Sequence, residues 1–416
     1  MVSFNVIVCG GGLGGLAAAI GLKRKGHKVT ILEGSTTLSE VGAGIQMPPN
    51  SVRILKEYGV FDRFEKYITK PKSIILRRYD TGVALSTTPL DPDMTNLYGN
   101  PYLLIHRADY QRLLYEAALE LGIEYKKGCR VYEVDQYSAT VILENGERYS
   151  ACDLIVGADG IRSRVRDTAV VPEEIVHPTP SFNCAFRATV PRAEMMSDPA
   201  IAHLMTDINS NCWIGYRRHV MAYPIRNGEM YNIVMSHPGE AAAGKWNEPG
   251  DLDEMKDQFK TFDPVVRQLL THVKSTLKWV LADLPKLPRW VPKSGKVVLI
   301  GDAAHAMLPY LAQGAAQAIE DGATLAAVLQ RCGSTADIPS ALQQYEKRRK
   351  RRAEQIQLGG RRNNDMWHLP DGDEQEERDA LMKAKDGHSP DKWADKEFQR
   401  WLFGWNAFTD GYESKL

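Results

Sequence analysis

The sequence predicts an α/β chain: a Rossmann-type, doubly wound domain, an interleaved and mainly β domain, and a helical segment at the C-terminus. Three observations lead there. A short apolar run at 4–9 is followed by glycines at 10, 12 and 15, and then by small apolar residues at helical spacing. Two further apolar runs suited to buried parallel strands, "LIVG" and "KVVLI", each lead into a loop and then a helix. The stretch from 178 to 281, together with "SIILRRY" and "VALSTT" near 73–88, reads instead as successive strands with one helical insertion.

With 416 residues the chain is long enough for two large cores. The division expected is 1–71, 98–177 and 290–365 for the doubly wound domain, 72–97 and 178–289 for the β domain, and 366–416 for the helical segment. The 52 basic and 52 acidic side chains balance, so no global field draws the chain to nucleic acid or anionic lipid. "VIVCGGGLGGLAAAI" is apolar enough to pass for a signal or an anchor, but nothing basic precedes it and glycines interrupt it. Six scattered cysteines without a CxxC pair fit a reducing compartment, and a cytoplasmic protein without a membrane span is expected. No His/Cys cluster has zinc spacing, so no metal is expected.

The glycines resolve the first segment into strand, turn and helix. Gly10 permits the tight turn, Gly12 lets the backbone approach a pyrophosphate, and Gly15 lets helix and strand pack closely. The anion then sits on the unpaired N–H groups of the helix that begins at Leu13. Strand 28–32 ends in Glu33, about 20 residues on, where a carboxylate accepts from a ribose diol. The rest of the chain carries no second GxGxxG between a strand and a helix, so one dinucleotide has a dedicated domain.

Two later segments narrow the choice. "CDLIVGADGIRSRVR" is a strand ending in Asp159 and Gly160 before a basic turn. "KVVLIGDAAHAMLPYLAQGAAQAIEDG" is a strand ending at Gly301 and Asp302, then a loop stiffened by Pro309, then a helix starting near Gln313 and Gly314. That helix start, with Gly314 and Ala315, offers free N–H donors and a positive dipole end suited to negative charge.

In order along the chain, GxGxxG, "EVGAGIQMPPNSVRIL", "HRADYQRLL", "GADGIRSRVR", "GDAAHAMLP" and "FQRWLFGWNAF" resemble the single-component FAD-dependent aromatic hydroxylases, the salicylate hydroxylase and hydroxybenzoate hydroxylase superfamily. The resemblance implies non-covalent FAD, with NADH or NADPH visiting as co-substrate. It implies that Asp302 bonds the ribityl chain, that Arg107 and Asp159 belong to the FAD site, and that backbone at Gly44, Ile45 and Gln46 lies along the isoalloxazine. The reaction implied is hydroxylation of a phenolic or aromatic-acid substrate with O2 through a flavin C4a-hydroperoxide, with loss of CO2 where the attacked carbon bears a carboxylate.

Within the β domain, "NCAFRATV" alternates so that Asn183, Ala185, Arg187 and Thr189 share one face. In related hydroxylases an Arg on such a strand faces the substrate, and a planar fork suits a phenolate or carboxylate. In "YRRHVMAYPIR", strand geometry sends Arg217, His219, Met221 and Tyr223 one way, with His219 and Tyr223 about 13 Å apart. The spacing His-x-x-x-Tyr-Pro is similar to that of the hydroxybenzoate and hydroxynicotinate branch, where the pair orients and deprotonates a ring hydroxyl. A histidine base titrating near neutrality suits that task.

Other features read as structural. "EKRRKRR" at 346–352 sits in helical spacing and is expected to be a solvated face. His305 is expected to be structural, and "DGDEQEERD" at 371–379 a polar joint before a helical cap. Competing functions are a plain NAD-linked dehydrogenase, a flavin-binding module without turnover, and a tailoring monooxygenase acting on a larger polyketide or alkaloid. Oligomeric state and the choice of nicotinamide stay open at this stage.

Overall fold

The computed structural model describes residues 2–38, 43–239, 248–384 and 389–409. Glu40 to Gly42, the first three residues of "EVGAGIQMPPNSVRIL", lie outside them. A five-stranded parallel sheet has the order Val297–Leu299, Leu154–Gly157, Asn5–Cys9, Lys28–Leu32, Glu124–Lys126. Its central strands are buried almost end to end, as the apolar runs predict. Helices Leu13–Arg24, Arg107–Glu120 and Gly314–Leu329 share its core. Between Glu124–Lys126 and Leu154–Gly157 the crossover carries a three-stranded antiparallel meander instead of a helix, and Val134, Val141 and Leu143 place it in the same core.

An eight-stranded sheet holds the strands Ser73–Arg78 and Ala84–Pro89 beside five others from Thr179–Pro191 to Leu277–Asp283 and the short Glu248–Pro249. Its two faces part by the two-residue period of a strand. Phe186, Trp213, Val220, Ala222 and Ile233 point to one side, where Met195, Leu204, Phe259 and Leu269 cover them. Ala185, Cys212, Ile214, Met221 and Tyr223 point to the other, toward Tyr310, Trp367 and Trp393. The covering residues come from two helical insertions, Arg192–Ser197 with His203–Thr206 and Leu252–Gln258 with Pro264–Thr271, where one is expected.

One long helix, Ile338–Trp367, leads into the helical segment, which holds Asp373–Lys383 and Lys396–Gly404. Two expectations change here. The acidic stretch is itself helical: Asp371 accepts from Arg78 and from the Tyr79 hydroxyl, and Asp379 pairs with Arg378. The basic run is not a wholly solvated face, because Arg349 and Arg352 are buried. Arg349 binds Glu320 at 2.6 Å and Asp321 at 2.7 Å, and Arg352 binds Glu320 at 2.8 Å. Helical spacing puts one stripe of that run against helix Gly314–Leu329, whose two buried carboxylates demand cations. Both guanidiniums also stack on Trp405, which ties the aromatic tail to helix Ile338–Trp367. Among the described residues no helix is long and apolar enough to cross a membrane.

Candidate active site

One cavity of about 670 Å³ is lined by residues of both sheets. Gly12, Leu13, Asp159, Arg107 and Asp302 form part of its wall, as do Gly44, Ile45 and Gln46, and Pro309, Gly314 and Ala315. So do Arg187, His219, Met221 and Tyr223.

At the glycine turn, Gly10 has φ +107°, and a Cβ there would lie 2.3 Å from the Ala158 carbonyl oxygen. A Cβ on Gly15 would lie 2.0 Å from the Gly10 carbonyl oxygen. These two glycines serve packing and stand behind the wall. Gly12 differs: a Cβ there meets nothing within 4 Å, so the N-terminus of helix Leu13–Arg24 opens on free space. That helix has no side-chain cap and no acidic residue in its first turn, which leaves its N–H groups and dipole for an anion. Glu33 Oε2 accepts from the Gly11 N–H at 2.6 Å and Oε1 from the Ser35 N–H at 2.7 Å. The carboxylate is thereby fixed at the edge of the turn, with lone pairs left for a diol.

Helix Gly314–Leu329 begins with the same absence of a side-chain cap and of acid, at the other end of the nucleotide seat. The loop before it is clamped from beneath. Asp321 Oδ2 accepts from the Gly301 N–H at 2.8 Å and meets His305 Nε2 at 2.6 Å. Burial alone would raise the Asp321 carboxyl, but His305 and Arg349 hold it below its ordinary value. His305 is structural, as expected, and Asp302 stands exposed on the cavity wall beside this clamp. Strand Gly44–Met47 pairs with Leu103–His106, and the Arg107 N–H donates to the Ala43 carbonyl at 2.9 Å. The Gly44 N–H donates to Asn232 Oδ1 at 2.6 Å, and a Cβ on Gly44 would lie 2.6 Å from Tyr223 Cε2. The two sheets therefore meet backbone to side chain here. Tyr102 donates to Gln46 Oε1 and holds that buried side chain. Asp159 faces its own loop: its carboxylate accepts from Ser163 Oγ and from the N–H groups of Arg164 at 2.7 Å and Val165 at 3.1 Å. Its side chain shapes the turn of 159–165 more than it reaches out.

Two uncapped helix N-termini on one wall, a glycine with open space over it and a carboxylate at the turn fit a molecule with a diphosphate at one end and a charge-accepting ring at the other. The FAD binding domain family matches residues 3–358. The chain belongs to that family. Over 97% of the chain it is 35% identical to the FAD-dependent monooxygenase OpS4 of Beauveria bassiana (strain ARSEF 2860), covering 95% of that protein. It is 32% identical to 3-hydroxybenzoate 6-hydroxylase 1 of Aquipseudomonas alcaligenes, over 96% of the chain and 97% of the relative. A solved salicylate hydroxylase in substrate complex superposes with TM-score 0.81 at 25% identity, covering 97% of this chain and 96% of that one. This FAD-dependent monooxygenase thus has the cofactor, the fold and the reaction class that its motifs imply.

In this flavoprotein Arg187 is half-buried on the cavity face of strand Thr179–Pro191, with its guanidinium 4.9 Å from the centroid of the Trp279 ring. His219, Met221 and Tyr223 follow on strand Arg218–Ile225. Arg217 does not join them: it sits in the hairpin turn at φ +54°, exposed. Burial raises the Tyr223 phenol well above its ordinary value, with Arg187 opposing, so Tyr223 stays protonated. The expectation that His219 titrates near neutrality is corrected: burial, and then His368, hold it well below the ordinary imidazole range. At neutral pH it is an uncharged ring.

Several residues of this end carry no motif. Tyr310 lies 5.3 Å from the His219 ring, accepts from Asn183 Nδ2 at 3.3 Å, and is pushed up to about 12 by burial. Trp279, Trp367 and Trp393 complete an aromatic wall. His368 Nε2 meets His219 Nδ1 at 3.0 Å across 149 residues of sequence, a separation no local pattern spans. Nothing in local spacing assigns these residues to the cavity.

Proposed function

We propose that this monooxygenase hydroxylates a small phenolic or aromatic-acid substrate, consuming NADH or NADPH and O2, with His219, Tyr223 and Arg187 acting on the substrate. The observation that carries the reading is that these side chains, from two strands of one sheet face, line the same cavity as the nucleotide-binding residues. Bound FAD, once reduced by the nicotinamide, supplies the activated oxygen inserted into the ring. The chain's own residues do the rest. Arg187 pairs with a carboxylate or phenolate through its planar fork. His219, uncharged, accepts the proton of a ring hydroxyl and so raises the electron density of the ring. Tyr223, protonated, donates to another polar group of the substrate, because about 13 Å of strand separates it from His219 and the ring lies between them over Met221. Trp279, Met221 and Tyr310 keep water from the reacting carbon, which suppresses loss of oxidising equivalents as peroxide.

For the nucleotide, Gly12 and Leu13 receive the pyrophosphate, Glu33 the ribose, Arg107 and Asp302 the remaining polar groups, and Gly44–Gln46 and Gly314–Ala315 the ring edges. Asp159 contributes through the backbone of its turn. The same reading divides the chain into a nucleotide domain of 1–71, 98–177 and 290–365, a substrate domain of 72–97 and 178–289, and the helical remainder, and puts the protein in the cytoplasm. The aromatic wall of Trp279, Trp367 and Trp393 favours one second reading, a larger polycyclic substrate. A panel of hydroxybenzoates, salicylates, phenols and larger aromatics, scored for stimulated NAD(P)H oxidation and for product, decides between them. Stimulation by no aromatic of either size refutes the proposal.

A further inference from the structure

The hydrogen bonds behind His219 fix where its proton sits. The orientation of the Asn364 amide follows from its partners: Oδ1 accepts from Asn183 Nδ2 at 3.3 Å, and Nδ2 donates to Asp365 Oδ1 at 3.0 Å. Asn364 Oδ1 also lies 3.0 Å from His368 Nδ1, so it takes a hydrogen from that nitrogen. A neutral imidazole has one N–H. His368 spends its own on Asn364, and its Nε2 can then only accept. The partner at 3.0 Å is His219 Nδ1, which must carry the hydrogen. The remaining nitrogen of His219, Nε2, keeps a bare lone pair, and the ring that bears it lines the cavity.

We propose that His368, held by Asn364, is a positioning residue that locks His219 in the Nδ1–H tautomer, so that His219 Nε2 is the atom that takes the proton of a substrate hydroxyl. This rests on the reading of His219 as the base. The step balances simply: the substrate O–H bond breaks, an Nε2–H bond forms, and the electron pair of the broken bond stays on the substrate oxygen. The imidazolium so made keeps donating Nδ1–H to His368 Nε2. Burial first, and then the charges of Arg378 and Arg217, lower His368 and disfavour a cation on it. Arg378 donates to the Met366 and Trp367 carbonyls at 2.7 and 3.2 Å, and the Arg217 N–H reaches the His368 carbonyl at 3.4 Å. The second histidine therefore orients a base. Orientation of one ring nitrogen by the bond that the other makes is the general way a tautomer is chosen.

The test uses FAD-loaded enzyme labelled with 15N-histidine. Long-range 1H–15N spectra distinguish the two tautomers without any substrate, with His219→Gln and His368→Leu serving to assign the signals. The expected result is an Nδ1–H pattern for His219 in the wild type, lost in His368→Leu and retained in His368→Gln, whose amide oxygen also accepts. In parallel, His368→Leu should lower kcat about a hundredfold, the low end of what a general base contributes. KM should stay within a few-fold, and His368→Gln should recover most of the rate. An Nε2–H pattern in the wild type, or unchanged tautomer and kcat in His368→Leu, overturns the proposal. An Nδ1–H pattern with full turnover in His219→Gln overturns it by another route, through the assignment of His219 as the base. Equal FAD content across the variants shows that each is folded.

Discussion

The glycine turn and the ring-facing end of the cavity are built in opposite ways. At the turn, Gly11 and Glu33 stand 22 residues apart and one hydrogen bond of 2.6 Å joins them. At the ring end, His219 and His368 meet across 149 residues, and Gly44 and Asn232 across 188. The first site is made by two adjacent strands, Asn5–Cys9 and Lys28–Leu32, with the turn and the helix between them. The second exists only once two sheets and a C-terminal helix have docked. The seat proposed for the pyrophosphate is thus a local feature of the chain, while the rest of the nucleotide wall and the substrate end are features of its tertiary assembly.

The largest effect expected is at the turn, and it separates two kinds of glycine. Gly12→Val places its branches in open space, so the fold should survive while FAD retention is abolished. Gly15→Val drives carbon into the Gly10 carbonyl and should cost at least about 3 kcal/mol of stability through overpacking. Thermal melts and the flavin-to-protein absorbance ratio check both. A Gly12→Val protein that keeps its yellow colour would break the contrast between the two ends.

Next come Arg187→Ala, Tyr223→Phe and His219→Gln. Each should keep bound FAD and lower the product formed per NAD(P)H, about 100-fold in rate for His219→Gln and about 10-fold or more for Arg187→Ala. The measurement is product yield against peroxide yield at matched FAD content. Flavin loss in all three would mean that the ends are not separable.

The pH dependence of stability sharpens the comparison further. Burial lowers His219, pushes His368 down to about 3 and takes His237 to about 4, while the unfolded value is near 6.5. Between about pH 6.5 and 4 the unfolded chain binds protons at these sites that the folded chain does not. Stability therefore falls with falling pH, by up to about 1.4 kcal/mol per pH unit for each. Asp391 works the other way: burial raises it to about 7, so its contribution is lost as pH rises from about 4 toward 7. Three histidines outweigh one carboxyl, and the melting temperature should drop on acidification, less steeply in His237→Gln. The smallest effect is at Glu33→Ala, which removes a ribose partner and two loop hydrogen bonds but leaves the pyrophosphate seat. FAD affinity should weaken by about fivefold, the worth of one hydrogen bond, measured by titrating the apoprotein.

What could be read from the sequence follows the same line. GxGxxG, Glu33 and the loop at Gly301 and Asp302 state their own geometry, because spacing within one βα unit is spacing in space. Strand alternation also put His219, Met221 and Tyr223 on one face of their strand and Arg187 on one face of its own, since period two needs no partner to be known; that the two faces open on one cavity is set by the sheet. It misplaced Arg217, because the hairpin turns one residue later than the pattern suggests. Arg349 and Arg352 could not be separated from their solvated neighbours without the buried Glu320 and Asp321 on another helix. The charge state of His219 was beyond reach for the same reason: its neutrality comes from His368, Trp367 and Tyr310 closing over it.

The measurement that bears most directly on the separation of the two ends is a paired determination on His219→Gln, with an aromatic that stimulates the wild type. Flavin content and 18O incorporated from 18O2 into product are read from the same preparation. The account predicts wild-type flavin content, continued NAD(P)H oxidation, labelled product reduced about a hundredfold, and peroxide as the main fate of oxygen. Labelled product at the wild-type rate, or loss of the flavin along with the activity, would contradict it.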